Sequence, residues 1–164
     1  MAENADELMA RVKIRFGKAI GSIIPQKCAN KAVEMFKRNF NEEGFFGARW
    51  KEVQRRTTHT ISYTTKKGKR VTRTVGPAKG VKGQLRILTG TGNLGRSIRY
   101  RYSNGEAEVY SDLPYSRAHN DGTKTAGRRR RTVIPRSQFM GEHPILTKEM
   151  KEIVEREVMK ALDG

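Results

Sequence analysis

The chain has 164 residues, and its 34 Lys and Arg against 17 Asp and Glu give a formal net charge of +17. This length suits a single domain, residues 1–164, with a modest core, and a hydrophobic content of 35% is above that of a disordered chain. The charge indicates an anionic partner, whereas the single cysteine, Cys28, excludes an intramolecular disulfide and fits a reducing cytoplasm. No apolar run is long enough to span a membrane, so we expect no membrane contact.

The first forty residues have the apolar periodicity of helices. Apolar residues at three- and four-residue spacing form a first stripe: Leu8, Val12, Phe16, Ala19, Ile20 and Ile23. Pro25 cannot continue the helical hydrogen bonding, but it suits the first turn of a new helix. A second stripe follows it: Ala29, Ala32, Val33, Phe36 and Phe40. The pattern predicts a helical part over residues 1–40, as two helices or one kinked helix, with both stripes facing the core.

Residues 57–75 predict a projecting hairpin. Its two arms, THTISYTT and RVTRTV, are rich in β-branched residues and are separated by KKGK. The tip and outer face are basic, with Lys66, Lys67, Lys69, Arg70 and Arg73. Because this hairpin has little apolar surface, we expect it to be mobile in an isolated subunit and to reach a neighbour in an assembly.

Three glycines at positions 90, 92 and 95 spell G-x-G-x-x-G, and Asp112 lies where the ribose-binding acid of a dinucleotide site would fall. Such a site needs a buried strand before the glycines and a helix after them. The sequence that follows alternates with period two instead, which is typical of strands. We therefore interpret the glycines as a bend and expect no bound cofactor.

The central region, residues 87–141, contains the best hairpin signal of the chain. Ile98, Tyr100 and Tyr102 alternate with polar residues, and Asn104-Gly105 is the pair that a type I′ turn prefers, because both positions need positive φ. Folding the strands about this turn predicts three cross-strand pairs: Tyr102 with Ala107, Tyr100 with Val109, and Arg101 with Glu108.

Short motifs spread along most of the chain resemble, in order, those of one known family. They are Gly-x-x-Trp at residues 47–50, L-x-x-T-G-x-L-x-x-S at 88–97, Y-[AS]-x-x-H-x-x-G at 115–122, and a Pro-Arg…Phe-x-Gly segment at 135–141. The residues that carry them are Trp50, Leu88, Thr91, Gly92, Leu94, Ser97, Tyr115, His119, Gly122, Pro135, Arg136 and Phe139. The ordered set resembles the phage virion-morphogenesis family of Mu-like tailed phages and prophages. One departure is Ser137-Gln138, which makes the spacing before Phe139 one residue longer than usual.

The resemblance implies a structural role in tail completion or head–tail joining. It implies a homo-oligomeric ring of about six subunits at the phage neck or tail end. Tail-tube or neck proteins are then the partners, and the virion tail or neck is the location, after synthesis in the bacterial host cytoplasm. It also implies an α+β fold in which the motif residues above are structural.

The last third of the chain contains a basic run and a helix. Four consecutive arginines cannot pack in a core and indicate a loop or a surface arm: Arg128, Arg129, Arg130 and Arg131. A final helix is predicted over residues 147–162, with Thr147 as its cap. Its expected buried stripe is Met150, Ile153, Val154, Val158, Ala161 and Leu162. The order of elements predicts an α+β fold: an antiparallel sheet of hairpins with the N-terminal and C-terminal helices packed on one face, and long basic loops.

No set of residues in the sequence has the spacing of a catalytic or metal site. The histidines at positions 59, 119 and 143 are scattered, and His119 has no nucleophile placed beside it. As a general base it would need a carboxylate such as Asp112 or Asp121 to orient it. We therefore expect no enzyme, no catalytic or metal-binding residues and no cofactor.

The two basic loops have two interpretations. Flexible Lys and Arg neutralise phosphates without reading sequence, so the loops could contact DNA, and they could equally contact acidic patches of a neighbouring subunit. The alternative to a ring-forming structural protein is a stand-alone, basic, non-specific nucleic-acid-binding protein. That alternative has the charge, but no recognition-helix motif accompanies it.

Overall fold

The computed structural model describes residues 5–53, 56–77, 86–127 and 132–163. The first helical part is one continuous run: α1 (Ala5–Lys18), a π-helical segment (Ala19–Ile23) and α2 (Ile24–Glu42). The π-helical segment ends at Ile23, two residues before Pro25. The helical run therefore continues through Pro25, and the irregularity before the proline is a wider helical turn.

Four antiparallel pairs of strands follow along the chain. They are β1 (Gly44–Phe45) with β2 (Ala48–Arg49), β3 (His59–Thr64) with β4 (Arg70–Val75), β5 (Ile98–Ser103) with β6 (Glu106–Ser111), and β7 (Thr123–Ala126) with β8 (Thr132–Ile134). Three further helices are α3 (Asn93–Arg96), α4 (Ser116–Asp121) and α5 (Pro144–Asp163). The α+β class predicted from the sequence is confirmed, with each hairpin a separate two-stranded ladder among the described residues.

Helix α2 is the centre of the fold. The β5–β6 hairpin packs across it, and α5 packs along it while also contacting α1. The main core cluster combines residues of α2 with residues from four later segments: Ala32, Phe36, Phe40, Trp50, Ile87, Leu94, Ile98 and Phe139. The second predicted stripe is thus confirmed as core-facing.

The first predicted stripe is wrong as a core-facing surface over most of its length, although Ala19 near its end is buried as predicted. Leu8, Phe16 and Ile20 are 46%, 36% and 45% exposed, and α1 has no buried residue. Periodicity identified the apolar face of this helix correctly, but no described element covers most of it. No helix in the described part of the chain is long and apolar enough to cross a membrane.

The last helix also differs from its prediction in two respects. It begins at Pro144, three residues before the predicted cap, and Thr147 donates a hydrogen bond to His143 O at 3.3 Å from within the helix. Val154 and Leu162 are exposed, whereas Glu157 is buried and accepts a hydrogen bond from Lys27 Nζ at 2.7 Å.

The β5–β6 hairpin has the predicted register. Its pairs include Tyr100 with Val109, Arg101 with Glu108 and Tyr102 with Ala107, so the register is confirmed. Asn104 and Gly105 have φ values of 45° and 86°, as a type I′ turn requires. The glycine bend is confirmed for Gly90 and Gly92, while Gly95 lies in the four-residue helix α3, which β5 follows; this is not the arrangement of a dinucleotide site.

Candidate assembly and nucleic-acid surfaces

Residues of the family-like motifs from distant parts of the sequence meet in one buried junction. Phe139 is fully buried, and Trp50, Leu94 and Ser97 are 8%, 5% and 6% exposed. The ring of Phe40 contacts both aromatic residues, with centroid distances of 5.7 Å to Trp50 and 5.1 Å to Phe139. These aromatic contacts join α2 to the segment that precedes α5.

Side chains hold the backbone of that segment in place. The Trp50 Nε1–H donates to Gln138 O at 2.6 Å, and Asn39 Nδ2 donates to Phe139 O at 3.1 Å. Asn120 Oδ1 accepts from the backbone N–H groups of Phe139 and Met140, at 2.9 and 3.0 Å. The segment has no regular strand partners here, so these bonds satisfy buried backbone groups that would otherwise destabilise the fold.

Two family-like residues have local roles that their types explain. Ser97 Oγ donates to Leu94 O and also hydrogen-bonds Ser111 Oγ, both at 2.7 Å, so it ties α3 to the end of β6. Gly122 has φ of 76°, and a Cβ there would lie 2.8 Å from the backbone nitrogen of Arg136. Only glycine fits this close approach of two backbones.

Glu43 is a structural residue that the sequence does not single out. It ends α2 in the left-handed conformation, with φ of 50°. Its carboxylate accepts hydrogen bonds from Arg56 at 2.7 Å and from the Ile87 N–H at 2.6 Å. Burial alone would raise the pKa of Glu43, but the hydrogen bonds from Arg56 and Ile87 outweigh it and lower the pKa below its usual value.

A groove of about 380 Å³ lies beside the junction. Six of the family-like residues line it: Leu88, Thr91, Leu94, Tyr115, His119 and Pro135. Leu88 has φ of 60°, a conformation that costs energy for a residue with a side chain. The walls of the groove are largely apolar.

His119 is half-buried in the wall of this groove. Burial lowers the pKa of its imidazole, which therefore favours the neutral form. The Tyr115 ring lies edge-on to it at 6.0 Å, and the His119 backbone carbonyl accepts from the Ser137 N–H at 2.8 Å. The two carboxylates considered from the sequence have other partners: Asp112 pairs with Arg99 at 3.2 Å and Asp121 with Arg117 at 3.4 Å.

In the part of the chain that the structure describes, no group of three or more His, Cys, Asp or Glu side chains is placed to hold a metal ion. The lone Cys28 is half-buried on α2, and burial raises the pKa of its thiol.

The β3–β4 hairpin is largely exposed, in contrast to the buried junction. Its strands pair in register from His59 with Val75 to Thr64 with Arg70, and neither strand packs extensively against another described helix or strand. Its turn is closed by the Gly68 N–H donating to Thr65 O at 3.0 Å, with Gly68 at φ of 77°. The predicted projecting hairpin is therefore present.

The two sides of this hairpin carry different chemistry. We define the apolar side by the pairs that place His59, Ile61, Tyr63, Val71 and Val75 together, with Arg73 among them. The hydroxyl side is defined by Thr60, Ser62, Thr64, Thr72 and Thr74, with Arg70 among them. Ile61 and Tyr63 are 40% and 51% exposed, so the apolar side is largely open to solvent.

Charge is concentrated around this hairpin. The sequence from 53 to 105 contains 13 Lys and Arg and no Asp or Glu. Five of these cations are exposed on the hairpin: Lys66, Lys67, Lys69, Arg70 and Arg73. None of the five forms an ion pair with a described residue. The four arginines predicted to form a second basic loop, at positions 128–131, lie outside the described residues.

Comparison of the chain with protein-family models, with curated proteins and with solved structures finds no match in any of the three.

Proposed function

We propose that this chain is a structural virion-morphogenesis protein of a tailed phage or prophage, acting in tail completion or head–tail joining as an oligomeric ring. The observation that carries the proposal is the placement of the family-like motifs. Motif residues separated by up to about ninety positions either fill one buried junction or line the groove beside it. Such convergence is expected of a set of residues that specifies one fold, and it supports the resemblance.

In this proposal the junction and groove are structural and the protein performs no catalysis. Asp112 and Asp121 are paired with arginines, and none of the described hydroxyl residues that line the groove with His119 hydrogen-bonds its imidazole, as an activated nucleophile would. The backbone carbonyl of His119 instead supports the segment that leads to Phe139. The partners are further copies of the chain and tail-tube or neck proteins of the virion.

The apolar side of the β3–β4 hairpin is the proposed contact between subunits. A closed ring requires a contact between two different patches of neighbouring copies. Ile61 and Tyr63 offer exposed apolar surface on an element that packs little against the other described helices and strands. Because these side chains are already about half covered, burying the rest against a neighbour would contribute about half of the roughly 1.5–3 kcal/mol that full burial of a large apolar side chain gives.

The mass of the assembly in solution tests the proposal. Light scattering at rising concentration, alone and with a tail-tube protein, should show a ring of about six subunits for the wild type. Deleting residues 64–72 should leave a folded monomer that does not assemble. Ile61→Ser with Tyr63→Ser should act in the same direction, whereas Thr60→Ala with Ser62→Ala, on the other side of the same strand, is the matched control and should assemble normally.

Two results would contradict this proposal. One is a wild-type protein that stays monomeric at every concentration and with every tail component. The other is a deletion variant that still forms rings and completes infectious tails. A wild-type monomer that binds DNA tightly would instead favour the alternative, a stand-alone non-specific nucleic-acid-binding protein, which the acid-free stretch from 53 to 105 supports.

A further inference from the structure

We propose that the β3–β4 hairpin binds the phosphate backbone of double-stranded DNA through its basic turn and its hydroxyl side, without reading base sequence. The proposal does not depend on the ring, because the binding surface lies within one chain and opposite the apolar side. A monomeric variant should therefore keep it.

The arrangement of charge is the first argument. Exposed cations on a soluble protein are ordinarily interspersed with acids, which satisfy them locally. Here the hairpin cations have no ion-pair partner among the described residues, and the nearest acids in sequence are Glu52 and Glu106. Lys66, Lys67 and Lys69 are in the turn, and Arg70 begins β4 beside it. These four cations therefore lie together at the turn end of the hairpin, opposite the end that contains residues 59 and 75.

The hydroxyl side is the second argument. Phosphate oxygens accept hydrogen bonds from Ser and Thr hydroxyls as well as from Lys and Arg. Five hydroxyl residues and Arg70 share this side, and Ser62 Oγ lies 3.1 Å from Thr72 Oγ1 across the strands. The five hydroxyl side chains are exposed, and Ser62 and Thr72 hydrogen-bond each other. The side therefore offers a row of neutral donors that leads away from the cationic turn.

Shape selects DNA over other polyanions. The major groove of B-form DNA admits a two-stranded β-ribbon, whereas the major groove of an RNA duplex is too narrow and deep. The strands of the hairpin have six residues each, so the ribbon is about 20 Å long. At about 3.4 Å of helix axis per nucleotide, this length follows about six phosphates of one strand.

Binding titrations across salt concentration test the assignment. Two short duplexes of unrelated sequence are titrated with the full chain by fluorescence anisotropy between about 50 and 200 mM salt. The test variant changes Lys66, Lys67, Lys69 and Arg70 to Gln. Each lost phosphate contact lowers the slope of log affinity against log salt by about 0.9. The wild-type affinity should therefore fall up to about 150-fold more than that of the variant over this range.

Three further proteins make the result specific. A variant with Lys13, Lys37, Lys148 and Lys151 changed to Gln removes the same charge from exposed helical positions, and it should keep the wild-type slope. Changing the three hairpin lysines to Arg should preserve binding. Thr72→Val with Thr74→Val should weaken binding several-fold without changing the slope, because the lost contacts are uncharged.

The following outcomes would overturn the proposal. Equal slopes for the two Gln variants would show attraction by net charge alone. An unchanged slope in the hairpin variant, with unchanged melting, would place the DNA contact elsewhere. An affinity for an RNA duplex equal to that for the DNA duplex would contradict binding in the major groove of DNA. Polyglutamate that competes as well as DNA does would indicate that the hairpin binds an acidic protein. Loss of DNA binding in folded Ile61→Ser with Tyr63→Ser would contradict a binding surface confined to the turn and the hydroxyl side.

Discussion

The two long hairpins of this protein have the same size and opposite relations to the fold. Each has two strands of six residues in regular antiparallel register. The β5–β6 hairpin packs across α2, and the Gly105 N–H at its tip donates to Gly21 O of the π-helical segment at 3.1 Å. The β3–β4 hairpin has no comparable support from the described elements.

Their charges differ in the same way. On β5, Arg99 pairs with Asp112 at 3.2 Å, and Arg101 hydrogen-bonds Glu108 at 2.6 Å. The cations of the β3–β4 hairpin have no such partners among the described residues. The β5–β6 hairpin pairs two arginines with acids of the chain and buries Ile98, whereas the β3–β4 hairpin has neither such ion pairs nor a buried apolar residue among the described residues. The comparison suggests that local strand signals alone do not separate an element that holds the fold from one that serves binding.

The largest expected difference between the two hairpins is in stability, when one isoleucine in each is truncated to alanine. Ile98 on β5 is 3% exposed, whereas Ile61 on β3 is 40% exposed. Ile98→Ala should destabilise the protein by about 2–5 kcal/mol, because it leaves a cavity in the core. Ile61→Ala should cost less than about 1 kcal/mol in the monomer. Denaturant unfolding measures both, and similar midpoints would show that β3 is packed against something.

The turn glycines give a second matched pair with a smaller effect. Gly105 and Gly68 have φ values of 86° and 77°, which a β-branched residue resists. Gly105→Val should destabilise the fold by about 1–3 kcal/mol, because the strained turn is also docked on the π-helical segment. Gly68→Val should shift the global midpoint less, since a lone two-stranded hairpin is marginally stable and can open locally. Thermal melting of the two variants decides, and a larger loss for Gly68→Val would reverse the assignment.

The smallest predicted effect concerns His119 and pH. Burial lowers its folded pKa below the ordinary value of 6.5, so below that pH the unfolded chain binds a proton that the folded chain does not. Stability should therefore fall as pH drops from 6.5 towards the folded pKa, and His119→Gln should remove this part of the dependence. His59→Gln, on the projecting hairpin and outside the groove, is the control. A pH profile that is unchanged by His119→Gln would show that the imidazole is not buried in solution.

Local signals in the sequence predicted the docked hairpin in detail. Alternation and Asn104-Gly105 fix its register, because a one-residue slip would move every side chain to the other face. The same logic found the apolar face of α1 but not its exposure, since periodicity says nothing about what covers a face. The start of α5 was also misplaced, because Thr147 resembles a cap while its hydroxyl bonds within the helix.

The junction could be predicted only in part. Its aromatic residues are recognisable as core residues, and Asn120 stands within a family-like motif. The hydrogen bonds of Asn39 to Phe139 and of Glu43 to Ile87 span 100 and 44 positions, and no local sequence pattern predicts them. Helix α4 and strands β7 and β8 were missed because each is short and carries no clear period.

Amide hydrogen exchange of the isolated subunit tests most directly whether the two hairpins divide fold from binding. We predict that the amides of Ile98–Ser103 and Glu106–Ser111 that are hydrogen-bonded across the strands exchange only by global unfolding. Those of His59–Thr64 and Arg70–Val75 should exchange much faster through local opening, and should become protected when the subunit assembles or binds DNA. Equal protection of both hairpins in the isolated subunit would contradict the account.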